Sequence, residues 1–198
     1  MIIRNIEKKD ISKIVSIHLA SFSNFFLTSL GPNFLRVYYS SYLKLDCSVC
    51  LCAEIDGEIV GFVFGTLKPD GFNRKLFVNN FFSFTGVLIK ILLRNRKSII
   101  RIFRNANKQR NTLLNNFSEL FSIAVDPNYI GKGIGKNLLS YYEKVVIENK
   151  MSSIILTTDY FNNANTLNFY FNCGYKVYDI FFAYPKRKMY KLVKYLDE

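Results

Sequence analysis

Residues 119–139, ELFSIAVDPNYIGKGIGKNLL, leave the chain that contains them few ways to fold. An apolar run of strand-forming residues at 120–125 ends in Asp126-Pro127-Asn128, which is turn chemistry, and Ile134, Leu138, Leu139, Tyr142 and Val145 then recur at helical spacing. Between strand and helix stand Gly131, Gly133 and Gly135 at alternate positions. A strand that enters a helix through such a loop aims unpaired amides and the positive end of the helix dipole at one point, which suits a phosphate. Lys136 falls in the first helical turn, where a cation opposes the dipole unless an anion neutralises it. The segment reads as an anion cradle, with a tight turn packing helix on sheet as the plainer alternative.

Spacing narrows the anion. A dinucleotide fingerprint needs G-x-G-x-x-G, whereas these glycines are spaced G-x-G-x-G, and no acidic residue closes a following strand about 20 residues on as that fingerprint requires. A nucleoside triphosphate loop needs four residues between its glycines and then Lys-Ser/Thr, but Lys136 is followed by Asn137.

The segment resembles the cofactor loop of the GNAT superfamily, the acyl-CoA-dependent N-acetyltransferases, whose pattern is Gln/Arg-x-x-Gly-x-Gly/Ala. Ile130-Gly131-Lys132-Gly133-Ile134-Gly135 matches except at Ile130, where the family carries a polar side chain. A second segment, Asn163-Ala-Asn-Thr-Leu-Asn-Phe169-Tyr170-Phe-Asn-Cys-Gly174-Tyr175, is similar to the family's Asn-x-x-Ala-x-x-Phe/Leu-Tyr-x-x-x-Gly-Phe. The resemblance implies an α/β (α+β) GNAT fold, with a mixed, largely antiparallel sheet of about seven strands between helices. It implies acetyl-CoA as co-substrate and an amine as acceptor. The pantetheine arm would pair with the backbone of Ile123, Ala124 and Val125, and the Ile123 N–H would polarise the thioester carbonyl. Amides from Gly131 to Lys136, Ile134 and Gly135 included, would take the pyrophosphate, with charge from Lys132 and Lys136 and a backbone contact from Ile130. Tyr170 aligns with the family's general acid. Asn163 would bind the cofactor arm or brace the start of its helix. Glu119 stands where some members carry a base, with Glu54 and Asp126 as weaker candidates.

Length and composition fit one domain: 198 residues, 49% hydrophobic, hold a single sizeable core. The expected order is a strand at 2–6, a helix carrying Ile11, Ile14, Val15 and His18, a Phe-rich loop, and a second helix after Gly31-Pro32. A hairpin turning at Asp56-Gly57 follows, then the glycine segment, a strand at 153–158, a helix at 164–172 and two strands around Pro185. Cys47-x-x-Cys50 has metal-like spacing but no second pair, and the one histidine, His18, lies elsewhere on a helix. Reduced thiols on a half-buried strand, no metal site and a packing role for His18 are expected. No run is apolar and long enough to span a bilayer, and the N-terminus lacks a signal peptide's apolar region. The expected place is the cytoplasm, as a monomer or homodimer.

The family pattern does not account for a basic amphipathic insert over residues 70–117, between the third and fourth strands. Residues 71–118 hold 10 of the 27 Lys and Arg and no Asp or Glu, leaving 17 basic against 15 acidic residues elsewhere. Phe81, Phe84, Leu88, Ile91 and Ile102 alternate with Arg94, Arg96, Lys97, Arg101 and Arg104 as in one or two basic helices. Three readings stay open: an acceptor site for a phosphorylated substrate, peripheral contact with the inner face of an anionic membrane through residues 71–118, or a solvated face over the core. Nucleic acid is disfavoured because no reading module is present. Two functions from different classes follow. One is an N-acetyltransferase, with an amino sugar linked to a nucleotide or lipid preferred over a protein or peptide amine. The other is a membrane-surface or anion-binding module that kept the fold and lost catalysis.

Overall fold

The computed structural model describes residues 1–23, 25–81, 84–86 and 114–196. Its strands are β1 (Ile2–Asn5), β2 (Ser48–Ile55), β3 (Glu58–Thr66), β4 (Phe117–Val125), β5 (Ser153–Asp159), β6 (Lys176–Ala183) and β7 (Arg187–Tyr195). Its helices are α1 (Ile11–Ser21), α2 (Phe26–Ser29), α3 (Pro32–Tyr42), α4 (Phe72–Val78), α5 (Ile134–Glu148) and α6 (Ala164–Asn172). The strands make one sheet in the order β1-β2-β3-β4-β5-β7-β6, antiparallel everywhere except between β4 and β5. This is the mixed, largely antiparallel sheet that the family resemblance implied.

Local chemistry explains the main elements. The β2–β3 hairpin turns at Asp56 and Gly57, both at positive φ (50° and 80°), as a two-residue turn matched to strand twist requires. Helix α3 starts on Pro32, whose fixed φ and missing N–H suit a first helical position. Arg4 joins β1 to β2 through Glu54 and also binds Asp10 at the start of α1, each at 2.7 Å.

The sheet is covered on both faces. On one, Ile14, Phe34, Leu35, Tyr39 and Tyr42 of α1 and α3 bury Phe62 and Phe64 of β3. On the other, Ile134, Leu138, Leu139, Tyr142 and Val146 of α5 bury Val60, Val63, Leu120, Ile154 and Leu156. Burying each large apolar side chain contributes roughly 1.5–3 kcal/mol, so these two layers dominate stability.

Helix α5 approaches closely because β3 turns glycines toward it. A Cβ on Gly65 would lie 2.0 Å from Tyr142 Oη and 2.7 Å from the Glu119 carbonyl oxygen. Into that space Tyr142 places its hydroxyl, 2.6 Å from Ser118 Oγ, and donates to the Glu119 carbonyl at 3.2 Å.

Several expectations shift. β4 begins two residues before Glu119, and β5 runs one residue further, to Asp159. An acidic residue therefore does close that strand; its carboxylate is held by Arg187, and the dinucleotide reading still falls on the glycine spacing. The first part of the insert is folded onto the core: Phe72 stacks on Phe121 at 5.3 Å, and Phe84 lies 5.8 Å from Phe34. The basic helices expected from residues 87–113 lie outside the described residues.

Candidate functional site

The parallel pair β4–β5 is joined only over its first half. Register runs from Phe117↔Ser153 to Leu120↔Leu156 and stops, although β4 continues to Val125 and β5 to Asp159. On its other edge β4 stays paired with β3 to the end, Gly61 opposite Val125 and Val63 opposite Ile123. The Asp126 N–H donates to the Val60 carbonyl at 2.8 Å. Residues of an antiparallel pair alternate in the edge they present, so the N–H groups of Ile123 and Val125 point away from β3, toward the gap. An extended ligand has an open strand edge to pair with there.

A bulge sits at the mouth of this gap. Between Phe64 and Gly65 the register with β4 jumps from Ser122 to Leu120, so Phe121 is an extra residue. The side-chain contacts show its consequence: Leu120 packs toward α5, whereas Phe121, Ser122 and Ala124 all face the α1–α3 side. Glu119 shares that face, opposite Thr66, and is 7% exposed. It stands in the paired half of β4, at the neck of the gap.

Beyond Val125, Asp126 caps the short 3-10 helix Pro127–Tyr129 by accepting from the Asn128 N–H at 3.1 Å. The chain then passes through Ile130, extended and 70% exposed, to Gly131 (φ 82°) and Gly133 (φ 75°). Both angles are left-handed and favour glycine. Gly133 is the residue before α5, whose first turn holds no acidic side chain. The amides of that first turn lack intrahelical partners. Lys136 is exposed beside them, and Lys132 rests its ammonium 4.6 Å from the centre of the Tyr129 ring.

Helix α6 closes the other side. Phe169 packs 3.5 Å from where a Gly135 Cβ would stand, and Tyr170 lies in the same apolar cluster as Ile123, Val125 and Ile134. Tyr170 is 5% exposed, edge-on to Phe169 and Tyr175. Burial pushes its phenol well above the ordinary tyrosine value, so it holds its proton at neutral pH. Asn163 donates from Nδ2 to Thr158 Oγ1 at 2.7 Å and to the Asp159 carbonyl at 2.8 Å. Of the two roles expected of it, bracing α6 on β5 uses both amide hydrogens and leaves Oδ1 as an acceptor.

The structure thus brings together residues 123–125, the loop 130–136, Asn163 and Tyr170, with Glu119 on the opposite sheet face. Glu54 and Asp126 are engaged elsewhere, with Arg4 and with the turn. The four cysteines are free, burial pushes Cys50 up, and no metal-binding cluster occurs among the described residues. A groove of about 360 Å³ lined by Arg4, Leu51, Tyr141 and Glu148 lies near the opposite end of α5 from the glycine loop and takes no part.

Sequence reasoning missed three features. Ser122 is turned toward α3 by a bulge that no residue type announces. Asp159 and Arg187 form a close ion pair at the end of β5, and Arg187 stacks 5.1 Å from the Phe25 ring, tying the loop after α1 to β7. Ser21 Oγ donates to the Val125 carbonyl at 3.0 Å, fixing the end of α1 beside the gap.

Comparison with known proteins agrees with this fold. The family model described as Acetyltransferase (GNAT) family matches residues 12–175. None of the curated proteins matches the chain. Among solved structures, ribosomal-protein-alanine N-acetyltransferase from Brucella melitensis superposes with a TM-score of 0.65 at 16% identity, covering 99% of this chain and 100% of its own. PaiA N-acetyltransferase from Thermoplasma acidophilum, in complex with coenzyme A, gives 0.60 at 16%, covering 98% of each chain. The ribosomal-protein-S18-alanine N-acetyltransferase from Escherichia coli gives 0.63 at 13%, covering 100% of this chain and 94% of its own. At such identities these likenesses concern the fold. No helix among the described residues is long and apolar enough to cross a membrane. Because the family match runs through both the glycine loop and the α6 motif, the chain belongs to the GNAT family and is an acyl-CoA-dependent N-acetyltransferase.

Proposed function

We propose that the protein transfers the acetyl group of acetyl-CoA to a primary amine on an acceptor bearing negative charge, with an amino sugar linked to a nucleotide or a lipid preferred. The observation that carries the transfer chemistry is the β4 edge at 123–125, open toward β5 and leading directly into the loop of Gly131 and Gly133. Amides at 131–136 with Lys132 and Lys136 hold the pyrophosphate. Ile130, apolar and exposed, adds only its backbone. The pantetheine arm lies along residues 123–125 like a further strand.

The amine nitrogen, neutral when it attacks, bonds to the thioester carbon while the carbonyl electron pair moves to oxygen. The Ile123 N–H, aimed into the gap, donates to that oxygen. When the carbonyl reforms, the carbon–sulfur bond breaks and the leaving thiolate takes the Tyr170 proton. Burial keeps the Tyr170 phenol protonated, so it has a proton to give when the thiolate departs. Glu119, directly or through water, takes the proton that the amine releases. Glu119 then releases that proton to solvent and solvent returns one to Tyr170, so no net proton is consumed.

The formal charge of +12 disfavours polyamines and Lys-rich peptides as acceptors and favours an anionic one. Peripheral contact of residues 71–118 with an anionic membrane goes with a lipid-linked acceptor. Co-sedimentation with anionic vesicles that weakens with salt tests it, and binding indifferent to both removes it. A peptide amine is the second reading, favoured by fold neighbours whose names specify ribosomal-protein alanine. Thiol release from acetyl-CoA across a panel of nucleotide amino sugars, free amino sugars, peptides and polyamines decides among them. Fastest turnover on a nucleotide amino sugar is expected. Turnover confined to peptides moves the acceptor to the second reading. Acetyl-CoA binding without turnover on any amine favours a module that has lost catalysis.

A further inference from the structure

The α1–α3 face of β4 carries a chain of hydrogen bonds that the transfer mechanism leaves unused. Ser122 Oγ lies 3.3 Å from Tyr39 Oη, and Tyr39 Oη lies 2.6 Å from His18 Nδ1. Tyr39 and His18 are 0% and 3% exposed, inside a largely apolar layer that includes Phe34, Phe62 and Phe64. Ser122 is only half-buried, at the gap, next to Ile123. Polar groups in such a core are costly unless paired, so the direction of the chain matters.

That direction follows from its buried end. Burial pushes the His18 imidazole down to about 4, so the ring is neutral at pH 7 and carries a single N–H. Its Nε2 is buried with no hydrogen-bond partner. An orphaned N–H is rarer in protein interiors than an under-satisfied acceptor, which places the hydrogen on Nδ1. Nδ1–H then donates to Tyr39 Oη, Tyr39 donates to Ser122 Oγ, and the Ser122 hydroxyl hydrogen is left to donate outward. Burial also raises the Tyr39 phenol, which keeps this middle proton in place.

We propose that the Ser122 hydroxyl is a second donor to the oxyanion formed during acyl transfer, held in donating polarity by Tyr39 and His18. The proposal rests on the reading that the acetyl thioester lies along β4 at residues 123–125. Ser122 touches the reacting oxygen; Tyr39 and His18 are positioning residues. The bulge at Phe121 makes the arrangement available, since regular alternation from Leu120 would turn Ser122 toward α5. Hydrogen bonds in series polarise one another, so the last donor is stronger than an isolated serine.

The test uses acetyl-CoA labelled with ¹³C at the thioester carbonyl, bound to the full chain and followed by difference infrared spectroscopy. In the wild type the carbonyl band falls below that of free acetyl-CoA. Ser122→Ala moves it back toward the free position, Ser122→Thr does not, and Tyr39→Phe moves it part of the way. With the amine found by thiol release, Ser122→Ala lowers kcat by roughly 10²-fold with the acetyl-CoA KM nearly unchanged. His18→Asn, which keeps a donor near Nδ1, retains the band position, whereas His18→Leu does not. Tyr39 and His18 are in the core, so the melting temperatures of their variants are read alongside; the half-exposed Ser122 variants decide the outcome. A band unmoved by Ser122→Ala while acetyl-CoA still binds overturns the role of Ser122 alone. Failure of the wild type to bind acetyl-CoA overturns the underlying site assignment and this inference with it.

Discussion

Replacing Gly65 by alanine tests how α5 and the bulged strand are locked together. The new Cβ would stand 2.0 Å from Tyr142 Oη, 2.6 Å from Cζ and 2.7 Å from the Glu119 carbonyl oxygen, all inside the 3.0 Å that real Cβ contacts respect. Neither neighbour yields easily, because Tyr142 is 0% exposed and the carbonyl belongs to β4. Moving the phenol away breaks its contacts with Ser118 Oγ and the Glu119 carbonyl, both buried. Stranding buried polar groups costs about 1–3 kcal/mol and overpacking about 1–3 kcal/mol more, a combined loss of about 2–6 kcal/mol. Alanine's advantage in the unfolded chain is only about 0.4–1 kcal/mol, so the clash decides the sign. Urea titration at pH 7 reads this directly, and Tm should fall by roughly 10 °C at about 2–4 °C per kcal/mol. The double variant with Tyr142→Phe should lose less than the two single losses together, since the closest clashing atom is then gone. A Gly65→Ala loss below about 1 kcal/mol, or additivity within about 0.5 kcal/mol, refutes the packing argument.

Gly133→Ala meets only Asn137 Nδ2, at an ordinary 3.9 Å, but must hold a φ of 75°, so stability should drop by about 1–2 kcal/mol and acetyl-CoA affinity with it; Gly133→Asn should be milder on denaturant titration. Tyr170→Phe should lower kcat at least tenfold while calorimetry finds acetyl-CoA affinity nearly unchanged, and an undiminished kcat would remove Tyr170 as the acid. His18 sets a pH dependence of stability. Its folded pKa, about 4, lies below the ordinary 6.5, so the unfolded chain binds the proton first as pH falls. Above 6.5 the group contributes no slope; between 6.5 and about 4 it lowers stability by roughly 3 kcal/mol in all, and below that the loss is complete. Urea titrations at pH 7, 5.5 and 4 should reveal this slope in the wild type and a shallower one in His18→Asn.

The order of strands and helices was legible because hydrophobic period and turn chemistry are local. Asp56-Gly57 announces its hairpin, and Gly131 and Gly133 sit at positive φ where their spacing suggests special backbone. The gap beside residues 123–125 was legible only through family resemblance, since strand composition is the same whether or not a neighbour diverges. The bulge was not legible at all: Leu120, Phe121 and Ser122 show no break in pattern, and the extra residue lies opposite the step from Phe64 to Gly65, where Tyr142 from another element places its hydroxyl over Gly65. The His18–Tyr39–Ser122 chain joins three elements, so periodicity placed His18 on a buried helix face without its partner. Asp159 and Arg187 likewise meet only through the pairing of β5 with β7.

Calorimetric titration of the purified protein with acetyl-CoA bears most directly on the open β4 edge and glycine loop as its site. One molecule should bind per chain, with affinity that weakens as salt screens Lys132 and Lys136 and with loss of most affinity in Gly131→Val. Absence of binding, or binding of equal strength in Gly131→Val, would contradict the assignment.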